Sequence, residues 1–179
     1  MTWARRTRAR RTAQRGLTAV EAAVVFAIGG SLLAVAVPAF VRELHASRFA
    51  EPVEGLQRMG QGALAYAAAH PAAKDAFPPS APHTPATPPR GTREVDPPGA
   101  WDHPTWVALG FRASPEGVAH AFAFGFDAAP GPTRSTFIGR AHGDLDGDGV
   151  RSTFEVRGHA QDGEPAVLEP GMYVDSEVE

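Results

Sequence analysis

The amino-acid sequence predicts an α+β fold: a long N-terminal helix, membrane-spanning in its first half, packed on a small antiparallel β-sheet. Three observations predict it. Residues 17–41 are apolar and carry one charge, Glu21. Apolar residues then recur at helical spacing to about residue 70. From Thr105 onward the apolar period shortens to that of strands separated by short turns.

The chain has 179 residues, room for one domain of ordinary size and an anchor. It has no cysteine, which excludes disulfides, cysteine zinc sites and thiol catalysis. The net charge of −3 hides an asymmetry. Residues 1–16 hold six arginines (Arg5, Arg6, Arg8, Arg10, Arg11, Arg15) and no acid, leaving −9 on the rest of the chain. Arginine-rich tails can bind nucleic acid, but this one runs straight into an apolar stretch. That order reads as a topology signal, with the arginines on the cytoplasmic side. The acidic remainder would repel phosphate, so no nucleic-acid partner is expected.

The stretch LTAVEAAVVFAIGGSLLAVAVPAFV (17–41) has 25 residues. A helix of that length measures about 37 Å, longer than the hydrocarbon core of about 30 Å. Three readings compete: a secretory signal cut near Ala34-Val35-Ala36, a plain anchor, and a leader cut after Gly16. Glu21 discriminates among them. A carboxylate deep in a bilayer costs about 2.5–3.5 kcal/mol on insertion scales, and neither a signal peptide nor a plain anchor gains from it. A buried acid implies a partner.

The residues around Glu21 carry a family resemblance. RGLTAVE (15–21) resembles the processing site of type IV prepilins and pseudopilins, where a basic residue and Gly precede the cut and a glutamate lies fifth after it. Thr18, Gly30 and Pro38 also stand where pilins commonly carry a polar residue, Gly and Pro. Leu17 stands in place of the usual Phe, and Ala19-Val20 in place of a Leu-Ile pair. The close resemblance covers residues 11–41. It implies a basic leader, 1–16, removed by prepilin peptidase between Gly16 and Leu17, with N-methylation of Leu17. It also implies a structural subunit of a type IV pilus or type II secretion pseudopilus that polymerises through its N-terminal helix. The implied partners are other pilin subunits, the peptidase and the inner-membrane assembly machinery. The implied location is the bacterial inner membrane, single-pass with a cytoplasmic N-terminus, and then an extracytoplasmic filament. In that setting Glu21 pairs with the new amine of a neighbouring subunit and sets axial register.

Residues 42–70 predict an amphipathic helix continuing toward the globular part. Val53, Leu56, Gly60, Ala63, Leu64 and Ala67 share a face, opposite Glu54, Arg58 and Gln61. Pro52 predicts a kink or break near Glu51. Ten prolines in 71–104 predict a loop or linker without regular elements; Trp101 and Trp106 are expected to anchor it. Residues 105–179 predict an antiparallel β domain, with strands at TWVALGF (105–111), Val118–Phe126, Ser135–His142 and Ser152–His159 and a turn at 127–133.

Between the last two strands lies DLDGDGVRSTFE (144–155), which follows the spacing of an EF-hand loop. Ca²⁺ takes six to eight oxygens. Asp144, Asp146, Asp148, the Val150 carbonyl and Glu155 are the candidate ligands, and Gly149 permits the sharp turn. The flanks read as strands instead of the two EF-hand helices. A calcium site and an acidic hairpin turn both remain open, since Asp and Gly also favour turns. His142 and His159 are expected to face each other as paired strand residues. No phosphate loop, G-x-S-x-G or H-E-x-x-H occurs, and no enzyme activity is expected. The runner-up to the filament subunit is a single-pass anchored extracytoplasmic domain that binds calcium and does not polymerise.

Overall fold

A computed structural model of the chain describes residues 18–175. Gly16, Leu17 and the 1–16 leader lie outside the described residues. The chain divides into two compact units, one ending at Leu44 and the other starting at His45.

In the first unit the helix α1 begins at Ala19. Its stretch Ala19–Phe40 is long and apolar enough to cross a membrane. The apolar side chains are exposed on all sides, as at Phe26 (79%) and Val35 (74%). A helix apolar all round is suited to lipid or to a bundle, not to water.

The second unit is the head. It comprises the rest of α1, which ends at Ala69, and a mixed layer on it. A 3-10 turn (Ala73–Asp75) and strand β1 (Ala81–Thr84) follow, then helix α2 (Pro104–Leu109). The remaining strands are β2 (Phe122–Ala129), β3 (Arg134–Gly143), β4 (Ser152–Gln161), β5 (Val167–Leu168) and β6 (Tyr173–Asp175). The sheet runs β1-β2-β3-β4-β5 with antiparallel pairing, and β6 also pairs with β4. An apolar N-terminal helix followed by an antiparallel sheet is the α+β arrangement the sequence predicts.

Register places Phe124 opposite Ala141, Phe126 opposite Gly139, and Ala141 opposite Phe154. With period-2 alternation these residues share one face with Phe122, Phe137 and Val156, and all are buried. The opposite face carries Arg140, His142, Thr153 and Glu155, each half-buried. Here Arg140 pairs with Asp127 and Glu155, and Arg157 also meets Glu155, a chain of charges across three strands.

α1 sits on the apolar face through Leu56, Met59, Ala63 and Ala67. Close approach requires glycines there. A Cβ on Gly55 would lie 2.5 Å from the Phe124 ring, and one on Gly139 would lie 2.7 Å from the Met59 sulfur. Gly62 touches the neighbouring helix, with the Leu109 carbonyl oxygen 2.2 Å from where a Cβ would stand. Glu51 fastens the other edge: its Oε1 accepts the Ala121 and Phe122 amides at 2.8 and 3.0 Å, and its Oε2 accepts Arg93 Nη2 at 2.7 Å.

Several expectations need correction. The helix assignment passes Pro52 without a break. Pro52 is buried and Glu51 beside it accepts the amides of Ala121 and Phe122 at the start of β2, so tertiary contacts offset the missing helical donor. TWVALGF is not a strand: its first five residues belong to the helix α2. Pro104 stands in its first turn, His103 caps it by accepting the Thr105 amide, and Gly110 ends it in the left-handed region at φ 58°. Strand β2 starts at Phe122, four residues later than expected, and extends to Ala129 into the anticipated turn. The Pro-rich stretch does hold regular structure: β1 pairs with β2. It is a strap bound to the head, with Phe77, Pro78, Ala81 and Trp101 buried. Trp101 and Trp106 pack 5.4 Å apart, and their ring N–H groups donate to Asp96 and Thr84. Asp96 also meets His120 Nε2 at 2.6 Å, while His120 Nδ1 lies 2.8 Å from the Phe122 carbonyl.

Gly62→Ala tests the tight seating of α1. Alanine raises helix propensity by about 1 kcal/mol, but the methyl must displace a backbone carbonyl. A net loss of about 1–3 kcal/mol is expected by thermal unfolding of the full chain in detergent. Gly60→Ala, whose Cβ would meet the flexible Leu168 side chain at 3.1 Å, should be close to neutral in the same assay.

Candidate functional site

Two regions carry the residues singled out by the sequence: the start of α1 and the loop between β3 and β4.

At the start of α1, Thr18 and Glu21 cap the helix reciprocally. The Glu21 amide donates to Thr18 Oγ1 at 3.2 Å. The Thr18 amide and hydroxyl both donate to Glu21 Oε2, at 2.8 and 2.9 Å. This is a capping box, T-x-x-E, which satisfies amides that a helix N-terminus leaves unpaired. The spacing is legible in the sequence and gives Glu21 a role within its own chain. Among the described residues, Glu21 Oε1 has no hydrogen-bond partner, so one oxygen of the carboxylate remains available.

In the loop, oxygens of Asp144, Asp146 and Asp148 lie within 4.8 Å of one another. Each aspartate accepts an amide from within the loop, and Asp144 also accepts Arg90. Asp144 Oδ1 accepts the Gly147 amide at 2.9 Å, Asp146 Oδ1 the Asp148 amide at 3.0 Å, and Asp148 Oδ1 the Val150 amide at 2.6 Å. Carboxylates that turn back on amides two or three residues on are the mark of Asx-type turns. Gly147 and Gly149 adopt φ of 83° and 98°, as such a loop requires. Asp144 is 2% exposed. Burial pushes its carboxyl up, but hydrogen bonds from Arg90 and the Gly149 and Gly147 amides outweigh this and hold it below the usual range.

Val150 is half exposed and meets the loop through its amide. Glu155 does not join the group of three. It lies in β4 on the open face and accepts Arg140 Nε at 2.7 Å and Arg157 Nη2 at 2.8 Å. Burial opposes ionisation of Glu155, and the two arginines overcome it and lower its pKa. Three aspartates therefore converge, while Glu155 is committed elsewhere and a guanidinium already sits on Asp144. The sequence holds no signal for Arg90: it stands 54 residues from Asp144 and reaches it at 3.2 Å.

His142 and His159 do not face each other. Register sets His142 opposite Thr153 and His159 opposite Thr136. His142 instead stacks near His83 of β1, with ring centroids 4.7 Å apart, and its Nδ1 lies 2.9 Å from Thr153 Oγ1. His83 reaches over Gly125, where a Cβ would lie 2.8 Å from its Nε2. That nitrogen is buried without a hydrogen-bond partner. Burial lowers the pKa of both rings; Asp127 pulls His83 back up, while Arg140 and Arg151 lower it further.

No family model, no curated protein and no solved structure matches this chain.

The depressed His83 sets a sign for pH. The unfolded chain takes up a proton near the ordinary imidazole value of 6.5, above the folded value. Stability is therefore retained above that pH and is lost as pH falls through it toward the folded value. His83→Gln should flatten the fall in melting temperature between pH 7.5 and 5.5; an unchanged slope would assign the acid sensitivity to other groups.

Proposed function

We propose that this chain is a structural subunit of a type IV pilus or type II secretion pseudopilus. It would be cut between Gly16 and Leu17 by prepilin peptidase and methylated at Leu17. It would be held in the inner membrane with its basic leader in the cytoplasm, then drawn into an extracytoplasmic filament with other pilin subunits. The observation that carries this reading is the contrast between the two units. The head buries its own apolar core, while Ala19–Phe40 exposes apolar side chains all round. A segment of that kind needs lipid first and other helices afterwards, and polymerisation through a bundle supplies the second.

Glu21 is the one charge in that segment, and among the described residues one of its oxygens has no hydrogen-bond partner. Removal of the leader creates an amine at Leu17 that a neighbour's Glu21 can pair with. Breaking such a pair inside an apolar core costs about 3–5 kcal/mol, which favours one register.

The capping role and the pairing role separate by substitution. Glutamine retains the cap, because Gln serves at this place in a capping box, but it loses the charge. In the pairing reading Glu21→Gln abolishes filaments as Glu21→Ala does, and leaves the helix and the anchored monomer intact. Normal filaments from Glu21→Gln would leave capping as the residue's whole role. Mass spectrometry of the mature N-terminus, in a host with prepilin peptidase, reads the processing step itself: an N-methylated Leu17 is expected, and an intact Met1 rejects the class.

A second reading makes the chain a single-pass anchored domain with a calcium-binding loop that does not polymerise. The observation that favours it is the convergence of Asp144, Asp146 and Asp148. Extracellular calcium modules bind with Kd of about 10⁻⁴–10⁻³ M, so 10 mM Ca²⁺ should add about 1.4–2.7 kcal/mol of stability. A melting temperature indifferent to both Ca²⁺ and chelator removes the site.

A further inference from the structure

We infer that the aspartate loop works as a latch on the Pro-rich strap, with the Arg90 guanidinium as its fixed cation. Three observations converge on it. First, Asp144 joins the strap twice: its Oδ2 accepts Arg90 Nε at 3.2 Å, and its carbonyl accepts the Gly91 amide at 2.8 Å. Second, the two backbones pair in a short parallel bridge, Arg90 with Asp144. Third, the chains interlock where side chains would intrude. A Cβ on Gly91 would lie 3.2 Å from the Asp146 carbonyl oxygen, and one on Gly149 would lie 2.7 Å from Arg90 Nη2. Gly91 holds φ 62°, a conformation open to glycine at little cost.

The position of the latch along the strap gives it leverage. Upstream, β1 is fixed by pairing with β2. Downstream, Glu94 and His120 exchange amide hydrogen bonds, and Arg93 holds Glu51. Among the described residues between Pro85 and Thr92, the hydrogen bonds to the rest of the head are those to Asp144. The loop is thus the one polar attachment of this stretch among the described residues, beside the buried Pro88 and Pro89.

The two partners differ in exposure. Asp144 is buried at 2% exposure, while the Arg90 side chain is 64% exposed. The guanidinium alone loses little in water, but its departure would leave the buried carboxylate without a cation, so the pair opens only if the loop opens with it. Salt at about 1 M shortens the screening length to about 3 Å and should loosen the latch.

Hydrogen exchange of the full chain in detergent tests this, with EDTA present throughout. In the wild type the Gly91 amide and its neighbours should be protected. Arg90→Gln, or Asp144→Asn as a second variant, should speed exchange over residues 86–92 by about tenfold or more, with amides of β3 and β4 unchanged. Unchanged exchange at Gly91 in both variants overturns the latch. So does wild-type protein in EDTA that already exchanges as fast as Arg90→Gln, since a metal and not Arg90 would then be holding the loop. The outcome is independent of filament assembly and of the melting response to calcium.

Discussion

The head depends on how closely α1 lies on the sheet. Gly55 meets the Phe124 ring, and Gly139 leaves room for Met59, so helix and strands approach with no methyl between them. That distance lets the large rings of Phe122, Phe124, Phe126, Phe137 and Phe154 fill a single layer. Interiors pack near crystal density, so a side chain added at such a point would have to move the helix. Tight seating also brings the Glu51 carboxylate within reach of the Ala121 and Phe122 amides where β2 begins, so one acidic group ties helix, strand and strap.

Built on that contact, the remaining pieces are fasteners for a long strap that has little secondary structure of its own. Ser135 accepts the Gly131 amide and donates to the Ala73 carbonyl; Asp162 takes the Ala73 amide. Asp96 gathers Trp101 and His120. Proline suits such a segment: it limits the unfolded chain and asks for few hydrogen bonds in the folded one. The strap therefore follows the head's surface through short backbone pairings and side-chain contacts at intervals, not through a continuous ladder.

The legible parts of the sequence are those where one face is wet and the other dry. β3 and β4 alternate strictly, and their period-2 pattern survives in the burial of each residue. The wet side of α1 in the head (Glu54, Arg58, Gln61) is exposed as its spacing implies. TWVALGF misleads because a short apolar run fits both periods. The deciding signals were Pro104 before it and Gly110 after it. Pro52 misleads in the opposite direction, since local propensity is overridden by burial. The candidate site divides in the same way. The Asp144–Asp148 cluster and the Thr18–Glu21 cap are local and can be read from spacing. Arg90 on Asp144 and His83 beside His142 depend on strand order and a strap crossing, which no local pattern encodes.

The open face of the sheet has a consequence for crowding. Apart from Ile138, its half-buried residues on β3 and β4 are charged or polar, and the charges are already matched in the chain Asp127, Arg140, Glu155, Arg157. The outer strand β1 carries Pro82, and β5 and β6 at the far side are two and three residues long. Neither edge offers a long row of free amides for another strand. Heads forced together at high density would meet through wetted, internally neutralised surfaces with little mutual adhesion. They would behave as discrete bodies, and any order among them would have to be imposed from outside the sheet.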